Sequence, residues 1–224
     1  MKTSAELKAM AKEQLKGRWT PIVLATLVVA LISGGVRGVC LKIPYIGEIF
    51  PILVSAPLGL GMSIYILKFV NGETPEIVEV FSGFNRWVDS VILNFLVALF
   101  TALWSILLIV PGIIKGISYS MAEYILAENP NMKPGEAIEW RKKITNGHKA
   151  RIFLVQLSFI GWGILATITV VGLFWLIPYM NVTMVNLYNE IKYLNDEYRT
   201  AFLTTTDIII TEDKESEYED YQQN

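Results

Sequence analysis

Tyr119 and Glu123 lie four residues apart in an otherwise apolar stretch that follows Pro111 and Gly112. On a helix that spacing stacks them one turn apart, so the phenol can donate to the carboxylate. An ionisable group in a membrane-type segment points to function, as a relay, a substrate contact or a counter-ion. A plainer reading places Glu123 near the end of its segment, where it reaches the interface or pairs with a loop base such as Arg141. The second group of interest is cationic. Lys8, Lys12 and Lys16 recur every four residues, and His148, Lys149 and Arg151 follow Gly147. Both sets are expected to meet lipid phosphate at a membrane surface. Catalysis has little to work with, since His148 is the only histidine and Cys40 the only cysteine. An intramolecular disulfide and a His/Cys metal cluster are therefore excluded. There is no GxSxG, Walker lysine loop or HExxH motif. The chain is read as a non-enzyme, with no catalytic residue, cofactor or metal expected.

The elements that must carry these residues are apolar helices. Of 224 residues, 53% are hydrophobic and only 18% charged, with a mean hydropathy of +0.43; soluble domains carry ~25% charged residues. Runs long enough for a bilayer need ~20 mostly apolar residues. The pattern predicts six spans: residues 20–33, 46–70, 91–110, 113–127, 152–171 and 173–191. The first is expected to remain as an uncleaved span, because 18 residues precede it and no clean cleavage site follows. Gly34, Gly35 and Gly38 are expected to loosen the chain after it. Pro111–Gly112 is expected to turn the chain between spans three and four. Pro51, Pro57 and Pro178 fall inside spans, which neighbouring helices can tolerate. Ala56, Gly59 and Ser63 form a small-residue face suited to close helix approach.

An amphipathic helix is expected before each pair of spans. The first opens on the capping box Thr3-Ser4-Ala5-Glu6 and carries Leu7, Met10, Ala11 and Leu15 on one face. Its lysines line another face, so it suits the membrane interface, with Trp19 as an anchor. The second starts near Thr74 and Pro75, with Ile77, Val80, Phe81, Phe84, Trp87 and Val88 as its apolar stripe. The third starts at Pro134, turns Ala137, Ile138, Trp140 and Ile144 inward, and ends at Gly147.

The fold class is therefore all-α, a polytopic membrane protein of three hairpins, each preceded by a cytoplasmic amphipathic helix. Residues 1–194 form one integral domain. Residues 195–224 form an acidic tail that reads as disordered. With six spans and both termini in the cytoplasm, sixteen of the nineteen Lys and Arg face inside, leaving Arg37, Lys42 and Lys115 outside. That bias favours this orientation. The bases are spread around apolar spans rather than along a soluble face, so nucleic acid is not expected as a partner.

Several segments carry a resemblance. They are Ser4-Ala5-Glu6-Leu7-Lys8 with Ala11-Lys12, Val110-Pro111-Gly112-Ile113-Ile114-Lys115 with Ser118 to Ala122, Glu136-Ala137-Ile138, Leu157 to Trp162, and Pro178-Tyr179 with Thr183 and Tyr188. On these the chain resembles a family of bacterial integral membrane proteins, domain-of-unknown-function family nine-seventy-five. That family is distantly similar to the membrane domain attached to some glycerophosphodiester phosphodiesterases. The resemblance implies a membrane module in a bacterial plasma membrane, without chemistry of its own.

The leading functional expectation is a membrane accessory or scaffold. Its partners are the lipid bilayer, anionic head groups in particular, and a partner protein or a second copy of the chain. The alternatives are transport or export of a small amphipathic substrate, resting on Tyr119 and Glu123, and protection against membrane-active peptides.

Overall fold

A computed structural model of the chain describes residues 2–40, 46–107, 121–169 and 172–195, with only the backbone course given for 46–49 and 102–107. All secondary structure among the described residues is helical. In chain order the elements are α1 (Ser4–Leu15), α2 (Trp19–Cys40), α3 (Ile46–Val70), a 3-10 segment (Ile77–Arg86) and α4 (Trp87–Leu107). They continue with α5 (residues 121–128), α6 (Pro134–Ile144), α7 (Lys149–Leu157), α8 (Ile160–Thr169) and α9 (Leu173–Leu194). Among the described residues four stretches are long and apolar enough to cross a membrane: Trp19–Cys40, Phe50–Val70, Ile77–Thr101 and Lys149–Thr169.

The centre of the fold is α3. In its apolar window 56% of residues are buried inside the protein, against 17–22% in the other three stretches. It packs on α2, the 3-10 segment, α4 and α9. Its closest neighbour is the 3-10 segment, and glycine makes that approach possible. A Cβ on Gly61 would lie 1.7 Å from the Val80 carbonyl oxygen, and one on Gly83 would lie 2.0 Å from the Pro57 carbonyl oxygen. Backbone therefore meets backbone at this crossing, as small residues allow. Ala56 and Ser63 are buried on the same helix, as their spacing suggests.

Pro57 removes the amide that would have bonded the Leu53 carbonyl one turn earlier. The indole Nε1 of Trp87 donates to that carbonyl instead, at 3.0 Å. A proline inside an apolar helix is thus compensated by a neighbouring element, the condition for tolerating it away from water.

Several sequence expectations are corrected here. Gly34, Gly35 and Gly38 do not loosen the chain, because α2 runs on to Cys40. A helix interior without competing water keeps its hydrogen bonds despite glycine. The second amphipathic helix is a 3-10 segment that begins a turn later than Thr74, with Glu76 at its cap and the Glu76 amide donating to Glu79 Oε1 at 3.3 Å. It joins α4 directly. Only Val80 and Gly83 of this segment are buried, while Phe81, Phe84, Trp87 and Val88 face outward. The stripe is split: Val80 packs inward at the crossing with α3, while Phe81, Phe84, Trp87 and Val88 are left exposed among the described residues. The fifth span is divided into α7 and α8 around Ser158 and Phe159.

α1 also differs in what its apolar face meets. Leu7, Ala11 and Leu15 are fully buried, and the helix packs on α9. That face is covered by protein rather than left for lipid. α9 is the second interior helix, with every residue from Val182 to Tyr188 buried. Its polar residues, Asn181, Asn186, Asn189, Glu190 and Lys192 among them, keep it out of the four stretches above. The Pro111–Gly112 turn, most of span four, and the tail 196–224 lie outside the described residues.

Candidate functional site

Glu123 is carried by α5, whose Met121, Ala122, Tyr124, Ile125 and Leu126 are all buried. Its carboxylate lies against α3. A Cβ on Gly59 would come within 2.7 Å of Glu123 Oε1, so the absence of a side chain there makes room for the acid. Tyr119, Pro111 and Gly112 lie outside the described residues, so the Tyr119–Glu123 pairing is not described.

A second acid on α5 is more firmly engaged. Glu128 accepts from the Tyr188 hydroxyl at 2.6 Å and pairs with Lys192 Nζ at 2.5 Å. Both partners come from α9, and Tyr124 packs on Tyr188 with ring centroids 5.8 Å apart. The C-terminal end of α5 is held by Arg86. Its guanidinium donates to the carbonyls of Leu126 at 2.7 Å, Asn129 at 2.9 Å and Met132 at 2.5 Å, while Nε meets Asp89 at 3.0 Å. A cation at a helix C-terminus satisfies carbonyls that have no amide partner and suits the dipole. Sequence reading missed both arrangements. The available signals were a base at each junction and the Glu128–Asn129–Pro130 stop after an apolar run.

The six cations expected at lipid phosphate divide into two groups. Lys8 and Arg151 are bound within the protein. Lys8 Nζ donates to the Ser158 carbonyl at 2.8 Å, at the break between α7 and α8, and sits 4.1 Å from the centroid of the Phe159 ring. The Tyr179 hydroxyl donates to the Lys8 carbonyl at 3.2 Å. Partial burial pushes the Lys8 ammonium below the usual lysine range. Arg151 pairs with Glu190 at 2.7 Å and donates to the Lys2 carbonyl, while the Lys2 amide donates to Glu190 at 2.6 Å. Lys12, Lys16 and Lys149 remain exposed, and His148 is half-buried at the N-cap of α7 without a side-chain capping bond.

These contacts tie α1 to the end of the chain. Gln14 and Asn186 add a reciprocal amide pair, at 3.2 Å and 2.7 Å. Together they form a polar layer over the ends of α7 and α9. Its chemistry is ion pairing and capping. Among the described residues no three His, Cys, Asp or Glu side chains converge on a point.

In comparisons with known proteins, the family model described as "Protein of unknown function (DUF975)" matches residues 1–118 and 106–195. No curated protein and no solved structure matches the chain.

Proposed function

The chain belongs to the family of proteins of unknown function DUF975, and from that premise we propose that it is a multi-span membrane protein without enzymatic activity, an accessory or scaffold in a bacterial plasma membrane. Both termini face the cytoplasm in this reading. A basic surface there holds anionic lipid or a partner protein. The observation that carries it is the division of the cations. Lys8 and Arg151 are used to build the polar layer, whereas Lys12 and Lys16 at the C-terminal end of α1, Lys142 on α6 and Lys149 at the start of α7 are exposed. Such bases attract anionic lipid at ~1 kcal/mol each near a membrane surface.

The test is lipid composition around the protein. Polymer-excised membrane patches containing the full chain should be enriched in anionic lipid relative to the bulk membrane. Replacing Lys12, Lys16 and Lys149 together with glutamine should reduce that enrichment by at least about fivefold, the equivalent of ~1 kcal/mol. Equal lipid ratios in patch and bulk would sink the lipid part of the proposal and leave protein scaffolding.

A further inference from the structure

A cleft of about 720 Å³ opens between α1, α8 and α9, a size ordinary for a ligand site. One wall is Trp162, Leu165 and Ala166 of α8, the other Trp175 and Leu176 of α9. α1 forms the roof, presenting Ala5 and Ala9 with Lys8 and Lys12. The polar atoms in this lining are largely committed to the protein. Thr169 Oγ1 donates to the Ala166 carbonyl at 3.1 Å, the Tyr179 hydroxyl to the Lys8 carbonyl at 3.2 Å, and Lys8 Nζ to the Ser158 carbonyl at 2.8 Å. Lys12 stands exposed at the mouth, and among the described residues no acidic side chain lines the cleft.

The occupant must therefore combine a long apolar body with an anion at one end. We propose that the cleft holds one anionic phospholipid, with its acyl chain between α8 and α9 and its phosphate at Lys12. The proposal rests on the membrane reading above and narrows it from a basic surface to one defined site. Three features support a lipid over a free anion or a peptide. A free phosphate would leave the apolar walls uncovered. A neutral apolar helix would bury Lys12 without a counter-charge, which is costly. Trp162 and Trp175 are 60% and 49% exposed, so the cleft is open along its side, where a chain enters from a bilayer without crossing the polar roof. Trp19 joins the lining at the roof, and indoles favour that headgroup depth.

The test uses the full chain in phosphatidylcholine vesicles titrated with phosphatidylglycerol brominated on its acyl chains, which quenches nearby tryptophan. The expected result is a saturable quenching phase at low mole fraction, absent with brominated phosphatidylcholine. Replacing Trp162 and Trp175 together with phenylalanine should remove most of its amplitude. Lys12→Gln should raise the half-saturation point about fivefold, one surface cation's worth. Ala9→Phe, at an exposed position on α1, should fill the cleft and abolish the phase. An unchanged half-point in Lys12→Gln would overturn the proposal, as would equal quenching by the two lipids. If the two lipids quench alike while anionic enrichment in excised patches persists, the cleft is refuted and the basic surface stands. If both readouts are flat, the lipid-binding reading falls as well.

Discussion

At the scale of single residues, glycine and tryptophan do the structural work that an apolar sequence hides. Gly61 and Gly83 let two backbones touch, whereas Gly59 only makes room for a carboxylate. These are different situations for an added methyl. Gly61→Ala and Gly83→Ala would drive a Cβ into a carbonyl that has no rotamer to escape through. Each should cost at the upper end of the ~1–3 kcal/mol range for overpacking, or more. Gly59→Ala meets the end of a flexible side chain and should cost less than either. Thermal unfolding in detergent orders the three, and a Gly59→Ala cost equal to that of Gly61→Ala would contradict the packing. The Trp87 indole allows a sharper test. Trp87→Phe removes the donor to the Leu53 carbonyl and should cost about 1 kcal/mol. In a Pro57→Ala background an amide returns at position 57, so the same substitution should cost much less. The double-mutant cycle measures this coupling, and additive effects would show that the indole bond is incidental. Neither feature was legible beforehand. Sequence reading placed Gly59 on a contact face and Pro57 within a span, but their partners, Glu123 and Trp87, lie 64 and 30 residues further on. No local pattern connects them.

Helix starts and stops were the most legible elements. The capping box at Thr3 and Glu6 is present, with the Glu6 amide bonded to Thr3 Oγ1 at 3.3 Å and the Thr3 amide to Glu6 at 2.6 Å. Gly147 follows α6 at φ +81°, and α3 has the bounds read from its apolar run. These signals are local and depend on side chains a few residues apart. Stripe orientation was not legible, because an apolar stripe reports a preference for leaving water and not whether protein or lipid receives it. The stripe of α1 turned to protein, whereas that of the 3-10 segment is divided, with Val80 buried and Phe81 and Phe84 exposed. The cap of α1 also carries a pH dependence. The Thr3 amide and then the Thr3 hydroxyl hold the Glu6 carboxyl below its ordinary range. A depressed acid stabilises the folded form above its unfolded pKa and loses that contribution as pH falls through the lower folded value. Amide exchange in the first turn of α1 should therefore be slow near neutrality and rise below about pH 4, near the unfolded carboxylate value. Thr3→Ala should raise it at neutral pH by removing a cap worth about 1 kcal/mol. Exchange independent of pH after correction for intrinsic rates would refute this account.

At the scale of the molecule, two interior helices organise the rest. α3 gathers the early elements, and α9 receives α1, α2, α3 and α8. The all-helical class and the apolar character were legible from composition and run length. The interior position of α9 was not, because residues 173–191 were read as one span among six and nothing local shows that α1, α2, α3 and α8 all pack on it. The side proposed for each loop rests on the count of bases, and labelling tests it. In a Cys40→Ser background, single cysteines at Gly112, Asn146 and Tyr221 should react from outside the cell only at Gly112. Labelling of Asn146 from outside would place the basic loop on the other side and remove the surface proposed to hold anionic lipid. The pairing of Gln14 with Asn186, 172 positions apart, also has a consequence for synthesis. At ~5–20 residues per second, roughly 10–30 s pass between the emergence of α1 and that of its partner. Throughout that interval Leu7, Ala11 and Leu15 lack α9, the helix on which α1 packs. A nascent chain must keep α1 shielded, by a chaperone or another surface, until α9 arrives to cover it.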